Sequence, residues 1–128
     1  MSALRWLVAH SCAVALATAA SLQIWWLEED LPFDELVGRL RQARRLPRIL
    51  ADPAVHARVV GRLAPILPPW GMGRCIKRSL LLVHLWSRCG LDPRLHLGMH
   101  ADHRGHAWVS ERSLVSAQHE PAAEVAVL

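Results

Sequence analysis

Several residue types are scarce or absent in this sequence of 128 residues. It contains no Tyr, one Phe and three Cys, and no two cysteines form a CxxC pair. An odd number of cysteines without paired spacing is typical of reduced thiols in a cytoplasm rather than of a disulfide framework. If Cys75 and Cys89 lie on one helix, they are about 21 Å apart, which is too far for a disulfide. We therefore expect a cytoplasmic protein with free thiols.

Charged residues are missing from Trp6 to Leu27, WLVAHSCAVALATAASLQIWWL. A segment of this length could cross a bilayer as a helix, and its small residues could also belong to a cleaved signal. However, it is rich in Ala, contains His10, Thr18 and Gln23, and lacks the dense Leu/Ile/Phe run that drives insertion. These features favour a helix buried in a small domain. Membrane association through residues 6–27 and a cleaved signal are the alternatives.

The remaining charge is distributed unevenly along the chain. Residues 1–38 carry one Arg against five acidic residues, whereas residues 39–104 carry thirteen basic residues against three acidic ones. Such a basic block is either a solvated helix surface or a surface for acidic partners such as peptide, nucleic acid or lipid headgroups. We expect no nucleic-acid partner, because the sequence contains no recognised binding motif and most Trp residues lie away from the basic run.

Residues 1–70 have the pattern of amphipathic helices separated by prolines. Pro32 precedes one helix that should end near Leu46-Pro47, and Asp52 and Pro53 are suited to cap and open the next. The segment PPWGMGR then forbids a helix up to about Gly73. No obvious chemistry lies in this half of the chain.

A further helical pattern begins at Cys75 and ends at Cys89. Apolar residues recur at 76, 80, 83 and 86, and Gly90 is suited to a left-handed cap. Cys75 therefore falls in the first turn, where unpaired backbone N–H groups, the helix dipole and the basic residues Arg74, Lys77 and Arg78 favour a thiolate. Cys89 lies at the opposite end and should be inert.

After Pro93 the periodicity changes from 3.6 to 2. Residues 95–99 and 106–110 alternate as two half-buried strands, residues 114–118 would be a third, and residues 122–128 form a tail without an assigned element. A helix that carries Cys75 would then pack on a sheet that carries His106. A single cysteine with a distant histidine is a candidate nucleophile and base, and a buried inert cysteine is the alternative.

A metal site is a competing interpretation of the histidines. His100, Asp102, His103 and His106 form HxDHxxH, which offers three possible zinc ligands within seven residues, but no matching second cluster of ligands follows except His119. We expect no metal and no cofactor. The other histidines are expected to be unremarkable: His84 on a helix surface, His96 on a strand face, and His10 and His56 without partners.

Two segments, RCIKRSLLLVHLWSRCGL and LHLGMHADHRGHAWVS, resemble the lasso peptide biosynthesis B2 proteins, which are transglutaminase-like leader peptidases. The resemblance covers roughly forty residues, in Arg74-Cys75, Arg78-Ser79-Leu80, Gly90, the LxLGM strand and HAWV at 106–109. It implies the stand-alone form of the family, because no small winged leader-binding domain precedes the helices. The implied fold is α+β, with N-terminal helices and a papain/transglutaminase-like core in which the nucleophile helix packs on a small antiparallel sheet.

The resemblance implies a cysteine endopeptidase that removes the leader from a ribosomally made precursor, with Cys75 as nucleophile and His106 as base. The family's third residue, an Asp about twelve residues after the histidine, is replaced here by Gln118. Glu120, on the same strand face, is the alternative, and the sequence does not decide between them; Glu111 is disfavoured because it lies close to a turn. Without an acid, a weakened or inactive enzyme is also an alternative.

The implied partners are the precursor peptide, a separate leader-recognition protein and an ATP-dependent macrolactam cyclase. The expected organisation is a single domain over 1–128, with a helical part at 1–70, a catalytic helix–sheet core at 71–121 and a tail at 122–128. A noncatalytic peptide-binding or scaffold subunit and an amine acyltransferase that uses the same two residues are the alternative functions.

Overall fold

One helix near the middle of the protein separates a layer of helices from a small sheet. The computed structural model describes residues 2–99, 105–111, 114–115 and 123–128. The helices in these ranges are Ala3–Leu27 (α1), Phe33–Arg41 (α2), Pro53–Leu63 (α3) and Arg74–Arg88 (α4), with a 3-10 turn at Arg48–Leu50. The strands Arg94–Met99 (β1), Gly105–Glu111 (β2), Leu114–Val115 (β3) and Ala123–Val127 (β4) form an antiparallel sheet in the order β3-β2-β1-β4. The predicted α+β class is confirmed.

Helix α4 is buried around its whole circumference. Each of its residues from Ser79 to Trp86 is buried, because α1, α2 and α3 contact one side of the helix and β1 and β2 contact the other. The sequence pattern predicted a single apolar stripe, so the observed burial is more extensive than predicted. Full burial of a Leu side chain contributes roughly 1.5–3 kcal/mol, and four are fully buried here: Leu80, Leu81, Leu82 and Leu85.

Two polar side chains buried on α4 donate to backbone carbonyls of the neighbouring helices. His84 donates from Nδ1 to the Leu40 carbonyl at 2.9 Å, and Trp86 donates from Nε1 to the Pro53 carbonyl at 3.0 Å. The Leu40 carbonyl lies in the last turn of α2, where carbonyls lack an intrahelical partner. The predicted surface position of His84 is therefore wrong. His56 was expected to have no partner, and this is also wrong, because its Nε2 donates to the carbonyl of Leu50 at 2.8 Å.

Helix α2 ends earlier than its amphipathic pattern predicts. It stops at Arg41 instead of near Leu46-Pro47. The chain after it crosses the end of α4, where the N–H of Leu46 donates to the carbonyl of Arg88 at 2.7 Å and Arg88 Nε donates to the carbonyl of Arg44 at 3.0 Å. This segment leaves the helix because it satisfies groups at the C-terminus of α4 that the helix itself cannot satisfy.

Helix α1 packs on the rest of the protein through one face only. Its buried residues are small, apart from one Ile, and begin at Ala13; they are Ala13, Ala17, Ala20, Ser21 and Ile24. They contact α3 and α4, while residues 2–8 are all exposed. By length and composition α1 could cross a membrane, yet only 28% of its most apolar window is buried. The expectation of a fully buried helix is therefore correct for one face and wrong for the other.

The strands agree with the change of periodicity, and one further strand was not foreseen. Strands β1 and β2 cover the two predicted segments. Of the third, Leu114–Val115 forms β3, and residues 116–118 lie outside the described residues. Residues 123–127, within the segment expected to be a tail, form β4 and pair with β1. Pairing with the second edge of β1 makes that strand central in the sheet.

Among the glycines that the structure describes, Gly90 is the one in the left-handed backbone conformation that favours this residue. Its φ is +86°, and a Cβ at this position would stand 3.6 Å from the Arg45 guanidinium, an ordinary contact. We expect Gly90→Ala to lower the free energy of unfolding by about 1 kcal/mol, because an L side chain is strained in the left-handed region. Gly61→Ala is the matched control, since Gly61 is in α3 with nothing within 4 Å of the added Cβ. It should stabilise by roughly 0.5–1 kcal/mol. Urea unfolding curves in which both variants change stability in the same direction would contradict this account.

The buried histidines should make the protein less stable in acid. Burial lowers the pKa of His84, and also that of His56, although each hydrogen bond to a carbonyl opposes the shift. The unfolded chain then binds protons near pH 6.5, whereas the folded protein binds them only at lower pH, so the free energy of unfolding falls as pH drops through this window. Each histidine contributes at most about 1.4 kcal/mol per pH unit.

We expect His84→Gln to flatten the dependence of unfolding free energy on pH between 7.5 and 5.5, because its amide still donates to Leu40 but does not titrate. Adding His56→Gln should flatten the dependence further. Urea titrations at several pH values give this slope directly. A slope unchanged in both variants would show that other groups cause the acid sensitivity.

Candidate active site

The loop that precedes Cys75 is held by hydrogen bonds that side chains of α1 and α4 donate to its backbone carbonyls. Ser21 Oγ, on α1, donates to the Pro68 carbonyl. From α4, the ammonium of Lys77 donates to the Leu67 carbonyl at 2.6 Å and reaches the Pro69 carbonyl at 3.5 Å. Both donors are buried, and burial lowers the pKa of Lys77, with a smaller contribution from the charge of Arg74. These bonds fix the position from which α4 starts.

Cys75 is the second residue of α4 and is half-buried. The first intrahelical bond runs from the N–H of Lys77 to the carbonyl of Gly73 at 3.0 Å, so the N–H groups of Arg74, Cys75 and Ile76 have no intrahelical acceptor. Such groups at a helix N-terminus stabilise a negatively charged atom that lies close to them. The sulfur packs against the edge of the hydrophobic core but is not sealed inside it. The predicted position of Cys75 in the first turn is confirmed.

Cys75 and His106 lie at the same end of the packed helix–sheet unit. Helix α4 spans about 22 Å and β1 about 20 Å, and the short connection between them reverses the chain. The backbone N–H of Asp92, in this connection, donates to the carboxylate of Glu111 at 2.7 Å, which places the end of β2 beside the C-terminus of α4. The beginning of β2, with His106, is therefore at the end where α4 starts.

The imidazole of His106 belongs to an aromatic row across β1 and β2. His106 stacks on Trp108 with ring centroids 5.5 Å apart, and Trp108 stacks on His96, which is directly opposite it in the register, at 5.3 Å. His96 Nε2 is 2.6 Å from Ser110 Oγ. These contacts place the four side chains on one face of the sheet. His96 is a strand-face residue, as predicted.

The other face of the same strands is the core face. Leu95, Ala107 and Val109 are fully buried in the cluster that also contains the leucines of α4. His106 thus shares an end with Cys75 but lies on the sheet face opposite the one that α4 covers. For the imidazole of His106 to approach the sulfur of Cys75, it must pass the beginning of β2. There Gly98, which has no side chain, stands opposite His106 in the register. The pairing of Cys75 with His106 stays a prediction.

The third site residue is undecided between the two candidates. Gln118 and Glu120 both lie outside the described residues. The strand alternation argues against Glu111, because this residue has the parity of Ala107 and Val109 and faces away from His106. Its carboxylate instead accepts the N–H of Asp92. The sequence-based decision against Glu111 thus has a structural reason.

The remaining thiol of α4 has the properties of an inert residue. Cys89 caps the C-terminus of α4, and its burial, with a smaller contribution from the Asp52 carboxylate, raises its pKa to about 11. The thiol is therefore protonated at neutral pH. For the metal alternative, His100, Asp102 and His103 lie outside the described residues; among the described residues no three His, Cys, Asp or Glu are grouped to hold a metal ion.

Two contributions at the site were not found from the sequence. Lys77 was assigned to the cationic surroundings of Cys75, whereas its ammonium is directed to the loop carbonyls. The role of Trp108 between two histidines was also missed. The alternation places Trp108 on the same strand face as His106, but only the register of the structure sets it opposite His96.

Comparison with known proteins identifies one family. A family model described as the transglutaminase-like superfamily matches residues 14–128, a range that contains Cys75 and His106. No curated protein and no solved structure gives a significant match.

The loop anchor can be tested by removing the ammonium of Lys77. We expect Lys77→Met to lower the free energy of unfolding by about 1–3 kcal/mol, because buried carbonyls lose their donor while the aliphatic stem keeps its packing. Arg74→Met is the matched control, since Arg74 is exposed in the same turn, and it should change stability by less than about 0.5 kcal/mol. Limited proteolysis should also cut the loop at 64–73 faster in Lys77→Met. Equal stability and equal cleavage rates in the two variants would contradict the anchoring role.

Proposed function

Because the chain belongs to the transglutaminase-like superfamily, which includes cysteine proteases and acyltransferases, we propose that it is a cysteine endopeptidase that removes the leader from a lasso peptide precursor. The observation that carries the proposal is the placement of Cys75, in the first turn of α4, at the same end of the unit as His106 on β2. The motifs around both residues, which resemble those of lasso B2 proteins, support the choice of substrate.

In the proposed reaction the sulfur of Cys75 attacks the carbonyl carbon at the boundary between leader and core. His106 accepts the thiol proton and then gives it to the departing core amine, which leaves the leader as a thioester on Cys75. Water, deprotonated by His106, hydrolyses the thioester and releases the leader with a free carboxylate. The oxyanion of each tetrahedral intermediate forms near the backbone N–H of Cys75, one of the groups without an intrahelical acceptor.

The aromatic row supports the assignment of His106 as the base. A general base must hold one ring orientation, and the stacking of His106 on Trp108 restricts rotation of the imidazole. Trp108 is in turn held by His96 on the neighbouring strand. Gln118 or Glu120 would complete the site by accepting a hydrogen bond from the ring. Glu120 would stabilise an imidazolium with a full charge, whereas Gln118 would orient it only.

The proposed partners follow from the lasso pathway that the motifs suggest. A separate recognition protein would present the leader, and an ATP-dependent cyclase would close the macrolactam on the new amine. The thirteen basic residues between positions 39 and 104 would attract an acidic or extended leader. We propose a cytoplasmic location. Membrane association through residues 6–27 is the alternative. A scaffold subunit without activity and an acyltransferase remain the competing functions.

The proposal predicts different effects for the two cysteines of α4. We expect Cys75→Ala to reduce precursor cleavage by at least about a thousandfold, because the nucleophile is lost. Cys89→Ala should retain activity within about twofold, since its thiol is protonated at neutral pH. The assay incubates precursor, recognition protein and each variant and follows the products by mass spectrometry, with circular dichroism to confirm that both variants are folded.

Product masses separate the competing functions. Hydrolysis gives two fragments whose masses sum to that of the precursor plus one water, whereas acyl transfer leaves the leader joined to an added amine. Cleavage that persists in a folded Cys75→Ala variant would reject the enzyme assignment and favour the scaffold function. Equal inactivation by both substitutions would reject the choice of nucleophile.

A further inference from the structure

Helix α1 carries an uncovered apolar face along its length. Its large apolar residues at solvent include Leu4, 72% exposed, and Trp26, 81% exposed. Apart from Trp6, which stacks on His10, the exposed large apolar residues of α1 fall on one side of the helix at 100° per residue, opposite the buried Ala13, Ala17 and Ile24. The members of this face, here called the α1 stripe, are Leu4, Leu7, Val8, Val14, Leu22, Trp25 and Trp26. A continuous apolar face of this kind marks an interaction surface.

The middle of the α1 stripe differs from its two ends. Near the midpoint of the helix three exposed or half-exposed side chains on this face are small, namely Ser11, Ala15 and Thr18, and Val14 lies at the edge of the face. The other bulky residues stand on either side of this centre. Small residues at a crossing point let two helix backbones approach closely, whereas bulky ones keep them apart. The shape of this face therefore suits close packing against another helix.

The two ends of α1 carry opposite charges. Arg5 is exposed in the first turns, and Glu28, Glu29 and Asp30 follow the last turn, with no charged residue between them from 6 to 27. At the acidic end a cavity of about 550 Å³ is lined by Leu22, Trp25, Trp26, Glu29 and Asp30. Its wall combines apolar surface with two carboxylates, so it suits an aliphatic side chain next to a cation. The basic end of α1 offers such a pair in Leu4 and Arg5.

We propose that the α1 stripe is the interface of a symmetric dimer, in which α1 packs antiparallel to α1 of a second copy. With the two-fold axis between Ala15 and Thr18, the small residues of both copies meet at the centre. Leu7 and Val8 of one copy then face Trp25 and Trp26 of the other, and Arg5 reaches the exposed Glu29. One surface supplies both halves of the contact, as a two-fold interface requires.

The charges favour a second copy over a lipid surface as the occupant. An anionic bilayer attracts basic residues beside an apolar helix face and repels acidic ones. Three acidic residues lie at one end of the α1 stripe, beside the most exposed Trp. In the antiparallel pair Glu29 of each copy meets Arg5 of the other, so that a cation faces a carboxylate at both ends of the interface. The acidic end of the α1 stripe is therefore favourable in the dimer, whereas an anionic membrane surface would repel it.

Charge reversal tests the pairing of the two ends. Sedimentation equilibrium of the full chain should give a dimer, and Arg5→Glu should raise the dissociation constant at least about tenfold, because it brings like charges together. Glu29→Arg should weaken the dimer similarly. Combining the two substitutions should restore the dimer, since opposite charges again meet. Arg48→Glu, exposed on the 3-10 turn, is the matched control and should leave the dimer unchanged. A monomer for the unmodified chain, or failure of the combined variant to recover, would overturn the proposal.

Disulfide formation tests the direction of the helices. In a background with Cys12, Cys75 and Cys89 replaced by Ala, a Leu7→Cys chain mixed with a Trp26→Cys chain should form a mixed disulfide on oxidation. Either chain alone should form little. Linkage of Leu7→Cys to itself would show a parallel pair and would overturn the antiparallel arrangement. Flotation of a monomeric chain with phosphatidylcholine–phosphatidylglycerol vesicles would instead assign the α1 stripe to lipid and reject the dimer.

Discussion

Burial of α4 on all sides is the constraint on which the rest of the structure depends. A helix whose residues 79–86 are all inaccessible must be covered by elements on opposite sides, and here these are the three N-terminal helices and the sheet. The covering layers also supply acceptors for two of the polar side chains that α4 carries inward. His84 and Trp86 donate to the carbonyls of Leu40 and Pro53, so α2 and α3 are located by hydrogen bonds as well as by apolar contact.

The same constraint shapes both ends of α4. At the C-terminus of α4, the segment after α2 is not helical, and the N–H of its Leu46 donates to the carbonyl of Arg88. Gly90 then adopts a left-handed conformation, after which the chain continues towards β1. At its N-terminus Ser21 and Lys77 hold the carbonyls of the preceding loop. Cys75 is thus placed by groups on two different helices. A nucleophile needs this kind of support, because small displacements of the reacting atom cost rate.

The sheet separates the structural and chemical demands on β1 and β2 by the alternation of their side chains. Leu95, Ala107 and Val109 complete the core beneath α4, and the other face presents a row of imidazole and indole rings. The superfamily match and the shared end of Cys75 and His106 agree with a thiol-dependent acyl-transfer chemistry. Helix α1 is different, since it satisfies the core with one narrow face of small residues and leaves the opposite apolar face uncovered.

Much of this organisation was predictable from local sequence. The helix from Cys75, its glycine cap, the position of the cysteine in the first turn and the two strands all follow from periodicity and from residues with restricted backbone preferences. Such signals act within a few residues of one another. The sequence alone therefore determined the α+β class and the two candidate residues, Cys75 and His106.

Other features depended on partners distant in the chain. The early end of α2, the burial of His84, the loop contacts of Lys77 and the pairing of residues 123–127 with β1 each require a group that lies ten or more residues away. The one-sided packing of α1 is of the same kind, because an apolar helix has the same sequence signature whether one face or all faces are covered. Only the tertiary structure decided these features, since burial and hydrogen bonding between distant segments are set by how the layers assemble.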